Sequence, residues 1–152
     1  MKLVINRCYG GFSVSKKAVK RMAELKALPC YFFKHDYNTD KYMPVDENDD
    51  VWCWSAFNVP NPNDILISAK NWCSMTMEEK EKSNQSYSNI AYDDRNIERN
   101  DPLLIQVVEE LGKDANGDCA DLQIVEIPDG VKWSIEEYDG MEWVAEVHRT
   151  WS

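Results

Sequence analysis

The sequence lacks the features that mark membrane proteins, secreted proteins and repeat proteins. No apolar run approaches the ~20 residues that a membrane-spanning helix needs. The N-terminus turns polar after three apolar residues, too few for the core of a signal peptide. Internal repeats, low-complexity tracts and domain linkers are missing too. We therefore expect a single cytoplasmic domain over residues 1–152.

Paired cysteines are missing as well. The five cysteines are odd in number and widely spread, and no C-x-x-C pair occurs among them. A disulfide framework normally uses an even number of cysteines, and a zinc site normally uses close ligand pairs. We expect free, buried thiols, no bound metal and no cofactor. The five residues are Cys8, Cys30, Cys53, Cys73 and Cys119.

Core-forming residues, by contrast, are plentiful. Hydrophobic residues make up 43% of the 152 residues and include six tryptophans, which excludes a globally disordered chain. Runs typical of strands and of amphipathic helices follow one another along the chain. This pattern predicts an α+β fold with an antiparallel or mixed sheet, two to three helices and a C-terminal β-hairpin.

The first third of the chain predicts two strands and a helix between them. Gly10-Gly11 breaks the first strand, Ser13 or Ser15 is suited to cap the helix, and Pro29 stops it. The expected elements are a strand over 2–9, a helix over roughly 15–28 and a strand over 30–37.

The middle of the chain is less regular. Trp52 and Trp54 alternate along a candidate strand and are expected in the core. Residues 83–100 are rich in Asn, Ser and Asp, and their pattern predicts no definite secondary structure. The expected elements are an exposed acidic loop over 38–50, a strand over 51–57, a short helix over about 64–73, and a polar helix opened by a capping box at Thr76 and Glu79.

The last third carries the clearest local signals. Asp101 followed by Pro102 is typical of a helix start, and Gly112 closes the apolar stripe that follows. Asp139-Gly140 predicts a two-residue hairpin turn. The expected strands cover 120–127, Val131 to Ile135, and Met141 to Val147.

Charge is divided sharply along the chain. Residues 1–34 contain eight Lys or Arg and one acidic residue, a net of +7, whereas residues 35–152 carry a net of −17. An acidic surface repels nucleic acid and membrane surfaces, while a basic segment can hold a small anion. The segment 101–146 contains 13 acidic residues against Lys113 and Lys132, a net of −11.

Two segments are candidates for a ligand site. Arg7, Tyr9, Gly10 and Gly11 lie between a strand and a helix start, where backbone N–H groups can hold a phosphate or carboxylate. The alternative is a tight turn, because the segment is neither a G-x-G-x-x-G nor a Walker motif.

The second segment lies near the C-terminus. His148, Arg149 and Trp151 can contact an anion and stack on a base. A two-histidine phosphoesterase would need a second H-x-T, and His35 is not followed by one. We therefore assign no catalytic residue. The alternative is a strand end packed on the body of the protein.

The acidic segment 101–146 has two interpretations. Such a segment is usually a solvated face, but it also suits mimicry of nucleic acid in the basic groove of another protein. On the second interpretation, Glu136, Glu137 and Glu142 are the expected protein-binding residues.

Three parts of the sequence resemble a family of small proteins of tailed bacteriophages and prophages. They cover about half of the chain, at its two ends, and 38–98 is expected to be a variable insertion. The resemblance implies a phage context, in which small proteins often act on the host, and it carries no assigned activity. The matching parts are KLVINRCYGGFS (2–13), NDPLLIQVVEELG (100–112), and a tail with IVEIPDG (124–130), YDG (138–140) and HRTW (148–151).

The expected function is that of a phage-encoded accessory protein in the cytoplasm of the infected bacterium. It would bind and inhibit a host factor, such as a defence system, through an acidic surface. Two alternatives stay open, a binder that sequesters a nucleotide-like signal and, less favoured, a phosphoesterase-like enzyme. The expected partner is thus a host protein or a small molecule. Direct binding of nucleic acid or membranes is not expected, and homo-oligomerisation is left open.

Overall fold

A computed structural model describes residues 1–66, 69–93 and 96–147, and of 69–71 only the backbone. Within these residues the predicted α+β class is confirmed, with three α-helices, strands paired antiparallel, and a C-terminal hairpin. Three short 3₁₀ segments cover Pro62–Asp64, Ala69–Ser74 and Gly112–Ala115. The strands are β1 (Lys2–Asn6), β2 (Tyr31–Asp36), β3 (Lys41–Val45), β4 (Ser55–Phe57), β5 (Leu122–Glu126), β6 (Trp133–Tyr138) and β7 (Met141–Glu146), and the helices are α1 (Lys16–Leu25), α2 (Met77–Ile90) and α3 (Pro102–Leu111).

The chain is divided into two compact units. The first unit contains residues 1–22 and the chain from 94 onward, and the second unit contains residues 23–93. No linker in the sequence predicts this division. The segment expected to be a variable insertion, 38–98, overlaps most of the second unit, and its variability stays a prediction.

The first unit is built around the pairing of β1 with β5. The two strands are antiparallel, with Lys2 opposite Glu126 and Asn6 opposite Leu122. The three apolar residues of β1 are buried without alternation, because both faces of this strand are covered. Other buried residues of this unit are Val14, Val19, Leu104, Val107 and Ala115.

Local capping signals fix the helix ends of this unit. The Ser15 side chain accepts a hydrogen bond from the backbone N–H of Ala18 at 3.2 Å, so Ser15, of the two predicted candidates, caps α1. The Asp101 side chain accepts from Leu103 at 2.7 Å at the start of α3. Gly112 ends α3 with a positive φ of 56°, as the sequence predicted.

The second unit has a three-stranded antiparallel sheet in the order β3-β2-β4. Its core is aromatic and contains Phe33, Phe57 and Ile90, with Tyr42 packed against it. The rings of Phe57 and Tyr87 meet edge to face at a centroid distance of 5.7 Å, which packs α2 onto the sheet.

For several elements of this unit, the predicted residue range or type of secondary structure was wrong. Part of the expected loop 38–50 is the strand β3, which pairs with β2 although its own sequence contains Pro44. The expected strand 51–57 is reduced to Ser55–Phe57, and Trp52 is 74% exposed instead of buried. In place of the expected helix near 64–73, the described residues form two separate 3₁₀ segments, Pro62–Asp64 and Ala69–Ser74. The helix α2 extends into the segment after 83, for which the sequence predicted no definite structure.

The C-terminal hairpin agrees with its prediction. β6 and β7 are antiparallel, with Trp133 opposite Glu146 and Tyr138 opposite Met141. Asp139 and Gly140 both have positive φ, 51° and 85°, as a two-residue turn of this kind requires. The ladders β1–β5, β3–β2–β4 and β6–β7 are three separate sheets in the described part of the chain, where one sheet was expected.

The five cysteines, all of them among the described residues, form no disulfide, and most of them are not buried. Cys53, Cys73 and Cys119 are exposed, because they lie in loops and a 3₁₀ turn, and Cys8 and Cys30 are half-buried. Among the described residues, no helix has the length and apolar character needed to cross a membrane.

Candidate functional site

The predicted Gly-Gly turn follows β1 and packs against two other loops of the first unit. A Cβ atom added to Gly10 would lie 1.7 Å from the carbonyl oxygen of Cys119. One added to Gly140, in the hairpin turn, would lie 2.4 Å from the backbone nitrogen of Gly11. Glycine is therefore needed at positions 10 and 140 because backbones approach closely there, and Gly11 has a positive φ of 85°; both findings favour the tight-turn alternative for Gly10 and Gly11.

The buried side chain of Asn6 joins these loops. Its Nδ2 donates to the carbonyl oxygens of Cys8 and Gly140, each at 2.7 Å. Its Oδ1 accepts from the backbone N–H of Asp121 at 2.8 Å. Asn6 is 0% exposed, and its backbone N–H donates to Glu142 Oε2 at 2.9 Å. One amide thus connects β1, the Gly-Gly turn, the start of β5 and the hairpin.

Glu142 forms a buried ion pair with Arg99. Arg99 Nη2 lies 2.7 Å from Glu142 Oε1, and the guanidinium carbon lies 3.3 Å from the ring centroid of Phe12. Arg99 also donates to the carbonyl oxygen of Ile97 at 2.9 Å. A planar, multidentate cation is suited to such a position, because it bonds a carboxylate and stacks on a ring at once.

This pair corrects the prediction for Glu142. Glu142 is only 4% exposed, so it does not lie on an exposed protein-binding surface. Its carboxylate is directed to Arg99 and the backbone of Asn6, and its backbone oxygen accepts from Arg7 Nη1 at 3.4 Å. Its role is to hold the hairpin against the end of β1.

The other two predicted protein-binding residues are exposed. Directly opposed residues of an antiparallel pair share a face, so the register assigns Glu136 and Trp143 to one face and Glu137 and Glu142 to the other. Trp143 Nε1 donates to Glu136 Oε2 at 3.0 Å. We use the name hairpin face for the residues Glu136, Tyr138, Met141 and Trp143.

Only some of the predicted ligand-binding residues lie in the described part of the chain. Arg7 and Tyr9 are exposed beside the Gly-Gly turn. His148, Arg149 and Trp151 lie outside the described residues, so their distance from the turn stays undecided. The small-ligand and phosphoesterase alternatives both depend on them.

The basic N-terminal segment is partly neutralised inside the first unit. Cations of β1 and α1 pair with acidic residues at the end of α3 and in the turn after it, so part of the positive charge of residues 1–34 is balanced within the unit. A hydrogen bond from Arg21, and a second from Gln106, hold the pKa of Glu110 below its ordinary value. The pairs are Lys2–Glu109, Lys17–Asp114 at 2.8 Å and Arg21–Glu110 at 2.7 Å.

A polar cluster of the second unit that includes a histidine lies at the β2–β3 hairpin. His35 Nε2 lies 3.0 Å from Asp40 Oδ1, and the His35 ring contacts Tyr37 and Tyr42 at centroid distances of 4.8 and 5.0 Å. Burial raises the pKa of Tyr42 to about 12, so its phenol stays protonated at neutral pH and is a poor nucleophile. Among the described residues, no three His, Cys, Asp or Glu side chains are grouped as metal ligands would be.

Sequence reasoning missed the residues that organise the first unit. A polar Asn6 at the end of an apolar strand was a usable signal of a buried amide. Arg99 had none, since it lies in a stretch of weak local pattern. Trp143 was predictable as a neighbour of Glu136, because the Asp139-Gly140 turn fixes the register of the hairpin.

No family model, no curated protein and no solved structure matches this chain. The candidate site therefore rests on its own geometry.

Proposed function

We propose that the chain is a phage-encoded accessory protein that binds a basic surface of a host protein, such as a component of a defence system, and inhibits it. The hairpin face is the proposed contact surface. The phage context comes from the sequence resemblance, and the contact surface comes from the exposure and charge of the hairpin.

The observation that carries the proposal is an exposed aromatic and acidic face on a fixed hairpin. Tyr138 is 72% exposed and Trp143 is 38% exposed. Aromatic side chains of this kind supply much of the binding energy in protein interfaces. The hydrogen bond from Trp143 to Glu136 restrains the indole before a partner arrives, which lowers the entropic cost of binding.

Charge distinguishes the hairpin from the other acidic part of this unit. Glu109, Glu110 and Asp114 are paired with cations. No ion pair joins the acidic side chains of the hairpin turn and strands to any described Lys or Arg, apart from the Arg99–Glu142 pair. Unpaired exposed acids steer a basic partner and favour its association. They are Glu136, Glu137, Asp139 and Glu146.

This pattern selects the kind of partner. A protein with an acidic face repels nucleic acid, whereas a host nuclease or other nucleic-acid-binding protein has a basic groove of complementary sign. Occupying that groove would exclude its substrate, which is how binding would become inhibition. The partner is therefore a protein with an exposed Lys- or Arg-rich groove.

In the test, the 152-residue protein is immobilised on a resin and incubated with host lysate. Wild type is compared with the double variant Glu136→Lys/Glu137→Lys and with Glu81→Lys/Glu98→Lys, which changes the net charge equally at exposed sites outside the hairpin. We expect a host protein to be retained by wild type and the second variant, and to be lost about tenfold or more with the first. Its retention should fall steeply with salt.

Inhibition is measured on the retained protein after purification. Wild type should inhibit its activity, and Glu136→Lys/Glu137→Lys should not. Equal retention by both double variants, or a retained protein whose activity is unaffected, would contradict the proposal.

A further inference from the structure

The strand edges of the second unit are closed in the described structure. On the outer side of β3, the Asn63 side chain donates to the carbonyl oxygen of Tyr42 and accepts from its N–H, both at 2.8 Å. Pro44 removes a further donor from this strand. On the outer side of β4, the N–H of Tyr92 donates to Ala56 at 2.9 Å. Such devices prevent another chain from adding a strand.

The first unit closes its edges less completely. The Val4 N–H donates to the carbonyl oxygen of Arg99 at 2.8 Å on the outer side of β1. The Leu122 N–H donates to Asn116 Oδ1 at 3.0 Å, which covers the beginning of the outer edge of β5. The outer edge of β7 lies beside the end of β1, where Arg7 Nη1 donates to the backbone oxygen of Glu142.

No described segment covers the outer edge of β6. The Val147 N–H donates to the Lys132 carbonyl oxygen at 2.8 Å, so Lys132 and every second residue after it point their backbone groups at β7. Trp133, Ile135 and Glu137 then point theirs outward. No described residue forms a hydrogen bond to these outward N–H and C=O groups, which makes β6 the longest open edge in this part of the chain.

The side chains on this edge select what can pair with it. Glu136 and Glu137 are exposed on opposite faces of β6. A second copy of β6 would bring two more carboxylates against them, and like charges across a strand pair are destabilising. A strand that carries Lys or Arg would instead place opposite charges beside both glutamates.

We propose that the host partner binds by strand addition, with an extended, basic segment of the partner protein paired to the outer edge of β6. This inference rests on the proposed function and specifies how the partner is recognised. Backbone hydrogen bonds to Trp133, Ile135 and Glu137 provide affinity, and contacts with the two glutamates provide selectivity for basic sequences. The hairpin face beside them contributes aromatic contact.

The probe is a capped eight-residue peptide of alternating lysine and valine, with an alternating glutamate and valine peptide as its control. The full-length protein is labelled for NMR, and amide exchange is measured with and without peptide. We expect the basic peptide to bind and to slow exchange of the amides of Trp133, Ile135 and Glu137 about tenfold or more. The acidic peptide should leave them unchanged.

Two variants at Glu137 separate the contribution of its backbone N–H to peptide binding from the contribution of its charge. Glu137→Gln removes the charge and keeps the N–H, whereas Glu137→Pro removes both at an edge position where proline is tolerated. We expect the proline variant to bind the basic peptide about tenfold more weakly than the glutamine variant. If the proline variant loses the hairpin, the exchange result on the wild-type protein remains decisive.

Three outcomes would overturn strand addition. The first is that the basic peptide does not bind, and the second is that it binds without changing exchange of the three outward amides. The third is that these amides already exchange slowly in the free protein and that the free protein sediments as a dimer. The proposed function fails separately, when Glu136→Lys/Glu137→Lys still retains and inhibits the host protein. A host complex that is sensitive to charge reversal and insensitive to Glu137→Pro would keep the function and reject strand addition.

Discussion

The two units differ in what they bury. The first unit encloses an amide, a guanidinium and a carboxylate, from Asn6, Arg99 and Glu142. The second unit encloses rings, with Phe57 against Phe33 at 5.7 Å and against Tyr42 at 4.9 Å. Directional bonds specify a single arrangement, whereas packed rings lose stability gradually as atoms are removed. The hairpin is therefore held by bonds that a single substitution can break.

The largest expected effect is in the first unit. Glu142→Ala leaves Arg99 as a buried cation without its carboxylate, and should lower the free energy of unfolding by about 3–5 kcal/mol. Urea unfolding followed by circular dichroism measures the loss. Glu137→Ala is the matched control, since it is directly opposite on the hairpin and exposed, and should change stability by less than about 0.5 kcal/mol. Equal losses would refute the role of the buried pair.

The second unit should respond in graded steps. Ile90 is buried at the end of α2 against Phe33 and Phe57. Ile90→Val should cost about 1 kcal/mol and Ile90→Ala about 3 kcal/mol in the same measurement, in proportion to the one and three carbon atoms removed. The exposed Met77 at the other end of α2 supplies the control, because Met77→Ala should have little effect. An Ile90→Val loss as large as that of Ile90→Ala would show that this core does not respond in graded steps.

A smaller effect is expected at the start of α2. This helix is polar around most of its surface, and its first turn depends on the reciprocal bonds between Thr76 and Glu79. Thr76→Ala should lower stability by about 1 kcal/mol. Ser88→Ala, on the exposed surface of the same helix, should have an effect within about 0.5 kcal/mol. Thermal unfolding of the two variants measures these losses, and equal losses would show that the Thr76 cap does not stabilise α2.

The smallest expected effect concerns the pH dependence of the first unit. The pKa of Glu110 is lowered by its hydrogen bond from Arg21, so the associated stability is present above the ordinary carboxyl pKa and is lost as the pH falls through the lowered value. In an NMR titration, Arg21→Met should raise the pKa of Glu110 toward its ordinary value. Lys17→Met should not, because Lys17 pairs with Asp114. Equal pKa changes in the two variants would contradict this assignment.

The elements predicted well are those with complete local signals. Asp101-Pro102 with Gly112, and Asp139-Gly140, each contain the residues that fix their own backbone geometry. β3 was missed because its strand character comes from pairing with β2 and from Asn63, which lies far along the chain. Local pattern does not report such partners.

The candidate site was predictable only in part. The sequence indicated the Gly-Gly turn and the exposed Glu136 and Glu137. It placed Glu142 on the surface because charge alone suggests exposure, and the carboxylate's partner, Arg99, is 43 residues away. Burial of a charge depends on a distant opposite charge, which no local pattern shows.

The most direct test of the central claim is amide hydrogen exchange of the full-length protein in complex with the host protein that it retains. We expect slowed exchange concentrated in Trp133–Glu146, with the outward amides of β6 among the most protected. Unchanged exchange throughout this hairpin, with protection elsewhere in the chain, would contradict it.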